Sequence, residues 1–241
     1  DQSVGNKYWD TSASNNWARP ATLNTELNTT YLNSFDSTAQ SMIGNTKYYL
    51  GGYNSTSTTP VDMYSYERKI NGSTYYNGSN PNSWVGKVAL MYVSDYGYAS
   101  DACENKKIYD SNSSANDIRA CNTKNWLYNI KVREWLLPQN AHVSNNVFYV
   151  LSDGRAYVEH VGGGQFAVRP VLYLTSSVEI TGGKGTSTDP YLIGINQKDT
   201  SGANTPVLAS NMIPVYYDDS KNVWKCADKD NKDSLTRWYN Y

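Results

Sequence analysis

The segment 146–161, NVFYVLSDGRAYVEHV, constrains the fold of this chain more than any other part of its sequence. Apolar and polar side chains alternate along both of its arms, and a Ser-Asp-Gly-Arg sequence at 152–155 separates the arms. Alternation with a period of two predicts strands, and an Asp-Gly pair between two such runs favours a tight turn. We therefore predict an antiparallel β-hairpin at this point of the chain.

The rest of the sequence predicts both helices and further strands. Apolar side chains recur every four residues from Leu23 to Phe35, a spacing that lines one face of a helix. A strand is also predicted at 166–174, where Pro170 requires an edge or a bulge because proline has no N–H to donate. The remaining predictions are short helices at 37–43 and 61–70, strands at 47–50 and 84–93, and a second hairpin at 178–194.

The composition indicates an uncharged, tyrosine-rich surface. Charged residues make up 18% of the chain and the formal net charge is −1, so the basic surplus of a nucleic-acid-binding protein is missing. The chain has 22 Tyr against 3 Phe, and its polar residues are mostly Asn, Ser, Thr and Gly. This composition is typical of extracellular bacterial modules and suits neutral ligands such as glycans or protein backbones.

Two features of the sequence concern export and the membrane. No apolar run is long enough to span a bilayer, so we predict no membrane contact within this fragment. The chain begins at Asp1 without Met, and we expect it to be cut from a longer precursor that carries an export signal or an anchor.

The cysteines are candidates for a disulfide, and the cysteine, histidine and acidic residues are candidates for a metal site. Cys103 and Cys121 bracket a polar loop, and we predict a disulfide between them that stabilises the fold by roughly 3 kcal/mol; two unpaired thiols are the alternative. Cys226 is left over and is predicted to be a free thiol. We predict no metal site and no cofactor, because there is no Cys-x-x-Cys, there are only 2 His, and the acidic loop at 110–117 lacks the Gly and the final Glu of an EF-hand.

No catalytic motif stands out, and we predict that the chain is not an enzyme. It has no Gly-x-Ser-x-Gly elbow, and GGGQ at 162–165 resembles neither a phosphate loop nor a dinucleotide fingerprint. Glu159 adjoins His160, but neighbours on a strand point to opposite faces. Arg169 lies inside an apolar strand, where a structural ion pair or a backbone clamp is favoured over a ligand contact.

Several segments of the chain resemble a known family. EWLL at 134–137, NNVFYVLSDGRAYV at 145–158 and FAVRPVLYL at 166–174 follow its pattern in order and spacing. Upstream, TLNTELNTTYLNS, KYYLGGY, MYSYERKI and WVGKVALMYVSDYGYA are also similar. The chain resembles bacterial C-type-lectin-like domains of surface and pilin-like proteins from gut Firmicutes. Their distant relatives are the formylglycine-generating enzymes and the variable proteins of diversity-generating retroelements.

The resemblance implies an α+β fold in which two helices pack on a small, twisted antiparallel sheet beneath long loops. It assigns residues 1–195 to this C-type-lectin-like domain. The polar segment 196–206 is then predicted to be a linker, and 207–241 a small β module that we expect to be truncated. The enzyme branch fits poorly, because formylglycine-generating enzymes bind copper through cysteines near the end of the domain. This chain has no Cys between Cys121 and Cys226.

The resemblance also implies where a ligand binds. In the variable proteins, exposed positions just before the closing Arg-containing strand form the ligand surface, which matches 139–166 here. Trp135, Arg169 and Pro170 match the framework instead. The candidate ligand-binding residues are Gln139, Asn140, His142, Asn145, Asn146, Tyr149, Arg155, Tyr157, Glu159, His160 and Gln165.

Taken with the composition, the resemblance implies an extracellular recognition or adhesion domain on a bacterial cell surface. The predicted partner is a glycan or protein ligand on a host or neighbouring cell. The alternative is a structural subunit of a pilus or surface filament that self-assembles. We also predict that Arg155→Ala and Tyr157→Ala weaken ligand binding with little change in melting temperature, whereas Arg169→Ala destabilises the fold.

Overall fold

The predicted hairpin forms the centre of a seven-stranded sheet in the computed structural model of the chain. Strand β8 (Asn146–Val150) pairs antiparallel with β9 (Ala156–His160) along its whole length, so the hairpin prediction is confirmed. In the turn, Gly154 has a φ of +86°, and its N–H donates to the Leu151 carbonyl at 2.8 Å. Only glycine adopts that backbone region without strain, so the Asp-Gly pair fixes both the position of the turn and the register of the arms.

The structure describes most of the chain up to residue 195 and three strands beyond it. The described residues are 4–53, 57–72, 74–76, 78, 80–110, 124–128 and 131–195, together with the backbone of the strands between 215 and 237. By its internal contacts the chain divides into two units, 1–178 and 179–241. The predicted linker at 196–206 lies outside the described residues, and so does Cys121, so the Cys103–Cys121 bridge stays a prediction.

Short strands from distant parts of unit 1 complete the sheet on both sides of the hairpin. The spatial order is β1 (Asn6–Lys7), β10 (Phe166–Ala167), β7 (Glu134–Gln139), β8, β9, β6 (Tyr109–Asp110) and β3 (Ser57–Thr58). The pairs β10–β7 and β6–β9 are parallel and the others antiparallel. The sheet is therefore mixed, and the purely antiparallel sheet implied by the resemblance is wrong, because two short strands enter through long loops rather than tight turns.

Two small sheets lie elsewhere in unit 1, and they divide the predicted strand at 84–93. Strand β4 (Ser83–Gly86) pairs with β2 (Thr46–Tyr49), while β5 (Val88–Leu90) pairs with β11 (Pro170–Leu172). At the break, the Val88 N–H donates to Asn28 Oδ1 at 3.0 Å instead of to a carbonyl of a neighbouring strand. Pro170 is the first residue of β11, and β11 is an edge strand of a two-stranded sheet, so the predicted edge position is confirmed.

The helices described in unit 1 are short. They are α1 (Thr22–Glu26), continued by a π turn (Leu27–Tyr31) and a 3₁₀ turn (Leu32–Ser34), then α2 (Ser37–Met42), α3 (Pro60–Glu67) and α4 (Val93–Tyr98). Those before residue 70 lie at predicted positions, whereas α4 begins at Val93, the end of the predicted strand at 84–93. Within the first helical stretch, Leu23 and Leu27 are buried in the core, so the four-residue spacing predicted the buried face correctly. The fold is thus mixed α+β.

Two hydrophobic clusters cover the two faces of the central hairpin. Phe148 belongs to the cluster that contains Met63 and Tyr96, whereas its neighbour Tyr149 belongs to the cluster that contains Trp135. Adjacent residues of a strand point to opposite faces, so both faces of β8 are packed inside the protein. The hairpin is therefore part of the core of unit 1.

Unit 2 contains strands in two small sheets. Strand β12 (Val178–Gly182), which begins at the unit boundary, and β13 (Leu192–Ile195) form the predicted second hairpin. Strands β14 (Val215–Asp218), β15 (Val223–Ala227) and β16 (Leu235–Arg237) form an antiparallel meander. A search of the described helices found none with the length and apolarity needed to cross a membrane.

Candidate ligand-binding cleft

An open cleft of about 600 Å³ lies in unit 1. Three segments that are far apart in sequence line most of it: the end of β5 with helix α4, the turn at 125–128, and the start of β11. Tyr31 of the π turn completes the lining. The other lining residues are Met91, Asp95, Tyr98, Ala99, Trp126, Leu127, Arg169, Pro170 and Val171. A concave surface that combines apolar area with a few polar groups is the usual form of a ligand site.

Exposed aromatic rings form the rim of this cleft. Trp126 is 73% exposed and Tyr98 is 43% exposed, although both belong to residue types that normally bury most of their area. The Tyr98 ring meets the Tyr64 ring edge-on at 6.3 Å, and the Arg68 guanidinium lies 3.7 Å from the centre of the Tyr64 ring. Rings held at the mouth of a concave site offer flat apolar area for a ligand to pack on.

The turn that carries Trp126 is fixed by side-chain hydrogen bonds on both sides of it. Asn125 Nδ2 donates to the Tyr96 carbonyl of α4 at 2.8 Å, and Asn125 Oδ1 accepts from the Leu127 N–H at 2.9 Å. One residue further on, the Tyr128 hydroxyl donates to the Ser152 carbonyl of the hairpin turn at 3.1 Å. The Trp126 ring is therefore presented from an anchored backbone, which lowers the entropy lost when a ligand binds.

Arg169 joins the floor of the cleft to the central sheet. Its Nη1 donates to the Leu127 carbonyl at 3.2 Å, and its Nη2 lies 3.3 Å from Glu134 Oε2 on β7. Both partners predicted for Arg169, an ion pair and a backbone clamp, are therefore confirmed. Burial raises the pKa of Glu134 to about 7, against the opposing effect of the Arg169 charge.

Two further carboxyl groups lie at the start of α4. Asp95 Oδ2 accepts from the Tyr92 N–H at 2.9 Å, and burial raises the pKa of Asp95. Glu67 is fully buried, and its Oε1 accepts from the Ser94 N–H at 3.1 Å, which ties the end of α3 to the first turn of α4. Burial raises the pKa of Glu67 to about 8. Glu67 therefore holds the helix that forms one wall, whereas Asp95 lines the cleft itself.

Three of the predicted ligand-binding residues are buried, so the expectation that they are exposed is wrong. Gln139 Oε1 accepts from Asn80 at 2.9 Å, and Asn140 Oδ1 accepts from the N–H groups of His142 and Val143 in the loop that follows β7. Tyr149 is 3% exposed and packs in the core beside Trp135. The polar character of these side chains is used inside the protein, where a buried amide needs hydrogen-bond partners.

The other predicted residues are exposed or half-buried, but the cleft does not include them. His142 and Gln165 are exposed, and Asn145, Asn146, Arg155, Tyr157, Glu159 and His160 are half-buried. Arg155 Nε donates to the Asp153 carboxylate at 3.0 Å within the turn, and Tyr157 packs against both hydrophobic clusters. None of the eleven predicted residues lines the cleft.

The predicted framework residues lie partly in the core and partly at the cleft. Trp135 is fully buried, and its indole N–H donates to the Lys7 carbonyl at 2.7 Å, so its framework role is confirmed. Arg169 and Pro170 line the cleft as well as supporting it. Trp126, Tyr98 and Asp95 were not predicted from the sequence as site residues. The NWLY block at 125–128 was a weak signal for Trp126, since it is an aromatic run inside a polar region.

Among the described residues, no three His, Cys, Asp or Glu side chains are grouped closely enough to hold a metal ion. We compared the chain with protein-family models, with curated proteins and with solved structures, and found no match.

Proposed function

We propose that this chain is an extracellular recognition domain of a bacterial cell surface, with a C-type-lectin-like fold, which binds a glycan or protein ligand without catalysis. The binding site in this proposal is the cleft between α4, the 125–128 turn and β11. The observation that carries it is the exposed ring of Trp126, held on an anchored turn at the mouth of a cleft of about 600 Å³.

The charges around the cleft support a neutral ligand. Arg169 faces Glu134. Burial raises the pKa of Asp95, and the Arg68 charge opposes that rise, so each charge lies near one of opposite sign. A neutral ligand loses less hydration on entering such a site than an ion does. Sugar rings fit these features, because their C–H faces pack on aromatic rings and their hydroxyl groups hydrogen-bond to polar side chains. An aromatic or aliphatic side chain of a protein partner fits the rim as well.

Binding is tested with a printed glycan array and with a pull-down from host-cell surface proteins, both probed with the labelled chain. Circular dichroism and a cooperative melting transition first establish that the sample is folded. We expect concentration-dependent binding to one class of glycan, or to a protein that is captured reproducibly. A folded sample that stays blank in both assays overturns the proposal.

One observation favours the alternative, a structural subunit of a pilus or surface filament. Strands β12 and β13 of unit 2 expose large apolar side chains, among them Ile180, Leu192 and Ile193. Exposed apolar residues on a two-stranded sheet suit pairing between copies of a chain. Filaments seen by negative-stain electron microscopy, and lost in Leu192→Lys, would favour this function; a monomer at high concentration would exclude it.

A further inference from the structure

We infer that the Glu134–Arg169 pair is a positioning element of the cleft, which holds the backbone beside Trp126 and makes the position of that ring depend on the protonation state of Glu134. This inference rests on the proposed function in one respect: the ligand is taken to bind at the rim that Trp126 forms. Neither residue is proposed to contact the ligand through this role.

The connection runs through two contacts of a single guanidinium group. Arg169 Nη1 donates to the Leu127 carbonyl, in the residue directly after Trp126, and Nη2 faces Glu134 Oε2 in the central sheet. The planar guanidinium fixes the angle between its two nitrogen atoms, so a shift at one partner is transmitted to the other. Glu134 is therefore in a position to set where the Leu127 carbonyl lies, and with it the Trp126 ring.

The surroundings of Glu134 make its charge costly. Its side chain is 7% exposed, and its Oε1 has no hydrogen-bond partner in the part of the chain that the structure describes. A buried carboxylate oxygen without a donor favours the protonated form. Burial accordingly raises the pKa of this group to about 7, although the Arg169 charge acts in the opposite direction.

Two other titratable groups, Tyr96 and Asp95, bear on the pH dependence of this pair. Tyr96 of α4 interacts electrostatically with both Glu134 and Arg169, and also with Tyr128 and Asp153 beside the hairpin turn. Burial raises the pKa of Tyr96 above its ordinary value, so Tyr96 keeps its proton between about pH 5 and about pH 8. Asp95, which lines the cleft, is another carboxyl group whose pKa burial raises, and it needs its own control.

The two protonation states of Glu134 hold Arg169 differently. The charged carboxylate attracts the guanidinium and keeps it aligned between the sheet and the Leu127 carbonyl. Protonation removes the attraction between opposite charges and leaves only a hydrogen bond from the guanidinium to a neutral carboxyl oxygen. The anchorage of the Trp126 turn therefore loosens as pH falls.

The test is a pH titration of the full chain labelled with 5-fluorotryptophan, followed by ¹⁹F NMR. The chain has 7 Trp, and Trp126→Phe identifies the Trp126 resonance. We expect this resonance to titrate with a midpoint close to the Glu134 pKa of about 7, while the buried Trp17 resonance does not. Glu134→Gln should abolish the titration, and Asp95→Asn and the exposed-site control Glu179→Gln should keep it.

Two outcomes overturn the inference. One is a Trp126 resonance that does not change between about pH 5 and about pH 8; the other is a titration that persists unchanged in Glu134→Gln. If Glu134→Gln does not fold, Arg169→Lys serves instead, because it keeps the charge and loses the planar fork. Arg169→Lys must shift the midpoint of the Trp126 titration for the inference to hold. The measurement uses no ligand, so a blank binding assay removes the proposed function while leaving this result to stand or fall separately.

Discussion

At the scale of single residues, burial of carboxyl groups is the dominant electrostatic feature of unit 1. Glu67 and Glu134 both have a pKa raised by burial, to about 8 and about 7, from an ordinary value of 4.5. The folded state therefore binds protons more tightly than the unfolded state at these two sites. The stabilisation that results is complete below about pH 4.5 and is lost as pH rises through each folded-state pKa.

We accordingly predict that the free energy of unfolding falls between about pH 5 and about pH 8. The slope approaches about 1.4 kcal/mol per pH unit for each group that is protonated only when folded. Urea unfolding at a series of pH values measures it. Glu67→Gln should flatten the slope, whereas Glu179→Gln, at an exposed position, should not change it. A free energy of unfolding that rises over this range would contradict the assignment.

At the scale of elements, the central hairpin is the part whose role the structure changes most. Its alternating pattern suits a strand with one wet face, and the resemblance places the ligand there. The two hydrophobic clusters cover both faces instead: one contains Leu23 of the first helical stretch, and the other contains Met63 of α3 and Tyr96 of α4. The hairpin turn supports the cleft, because its Ser152 carbonyl accepts a hydrogen bond from the Tyr128 hydroxyl.

We therefore revise the prediction for hairpin substitutions. Tyr157→Ala should destabilise the protein by about 2 to 4 kcal/mol, because it removes an aromatic ring packed against both clusters. Arg155→Ala should cost about 1 kcal/mol through loss of the contact with Asp153 inside the turn. Thermal unfolding followed by circular dichroism measures both, with His142→Ala as the exposed control. Melting temperatures equal to that of the wild type would restore the original prediction.

The packing of α3 against α4 gives a second prediction at this scale. A Cβ atom on Gly97 would lie 2.4 Å from Pro60 Cγ and 3.0 Å from Ile108 Cδ1. Gly97→Ala should therefore destabilise by about 1 to 3 kcal/mol, although alanine is the better helix former by about 1 kcal/mol. Gly162→Ala is the matched control, because its Cβ would meet only ordinary contacts at 3.5 Å and beyond. Urea unfolding compares the two; equal stability of both variants would show that the helices can separate freely.

Local patterns predicted those elements that local chemistry determines. The Asp-Gly turn located the hairpin, and the spacing from Leu23 to Phe35 located the first helical stretch. The predicted strand at 84–93 is divided because the Asn28 side chain, sixty positions away, takes the Val88 N–H. Such a contact depends on the tertiary fold, and periodicity carries no information about it.

At the scale of the whole molecule, the cleft could not be predicted from the sequence because its walls come from separate segments. Asp95 and Tyr98 lie on α4, Trp126 lies on the turn at 125–128, and Arg169 directly precedes β11. Only the arrangement of the strands brings them together. Arg169 was the exception: an arginine within an apolar strand indicated a paired charge, and the structure supplies Glu134 as the partner.

Recognition takes place at this cleft rather than on the surface predicted at 139–166, and side-by-side binding of three proteins tests this claim most directly. The wild-type chain, Trp126→Ala and His142→Ala are applied to the same glycan array and the same pull-down at matched concentrations. We predict that Trp126→Ala loses at least about tenfold in affinity, as expected when an aromatic anchor is removed. His142→Ala should stay within about twofold of the wild type. A loss confined to His142→Ala, with Trp126→Ala binding like the wild type, would contradict the account.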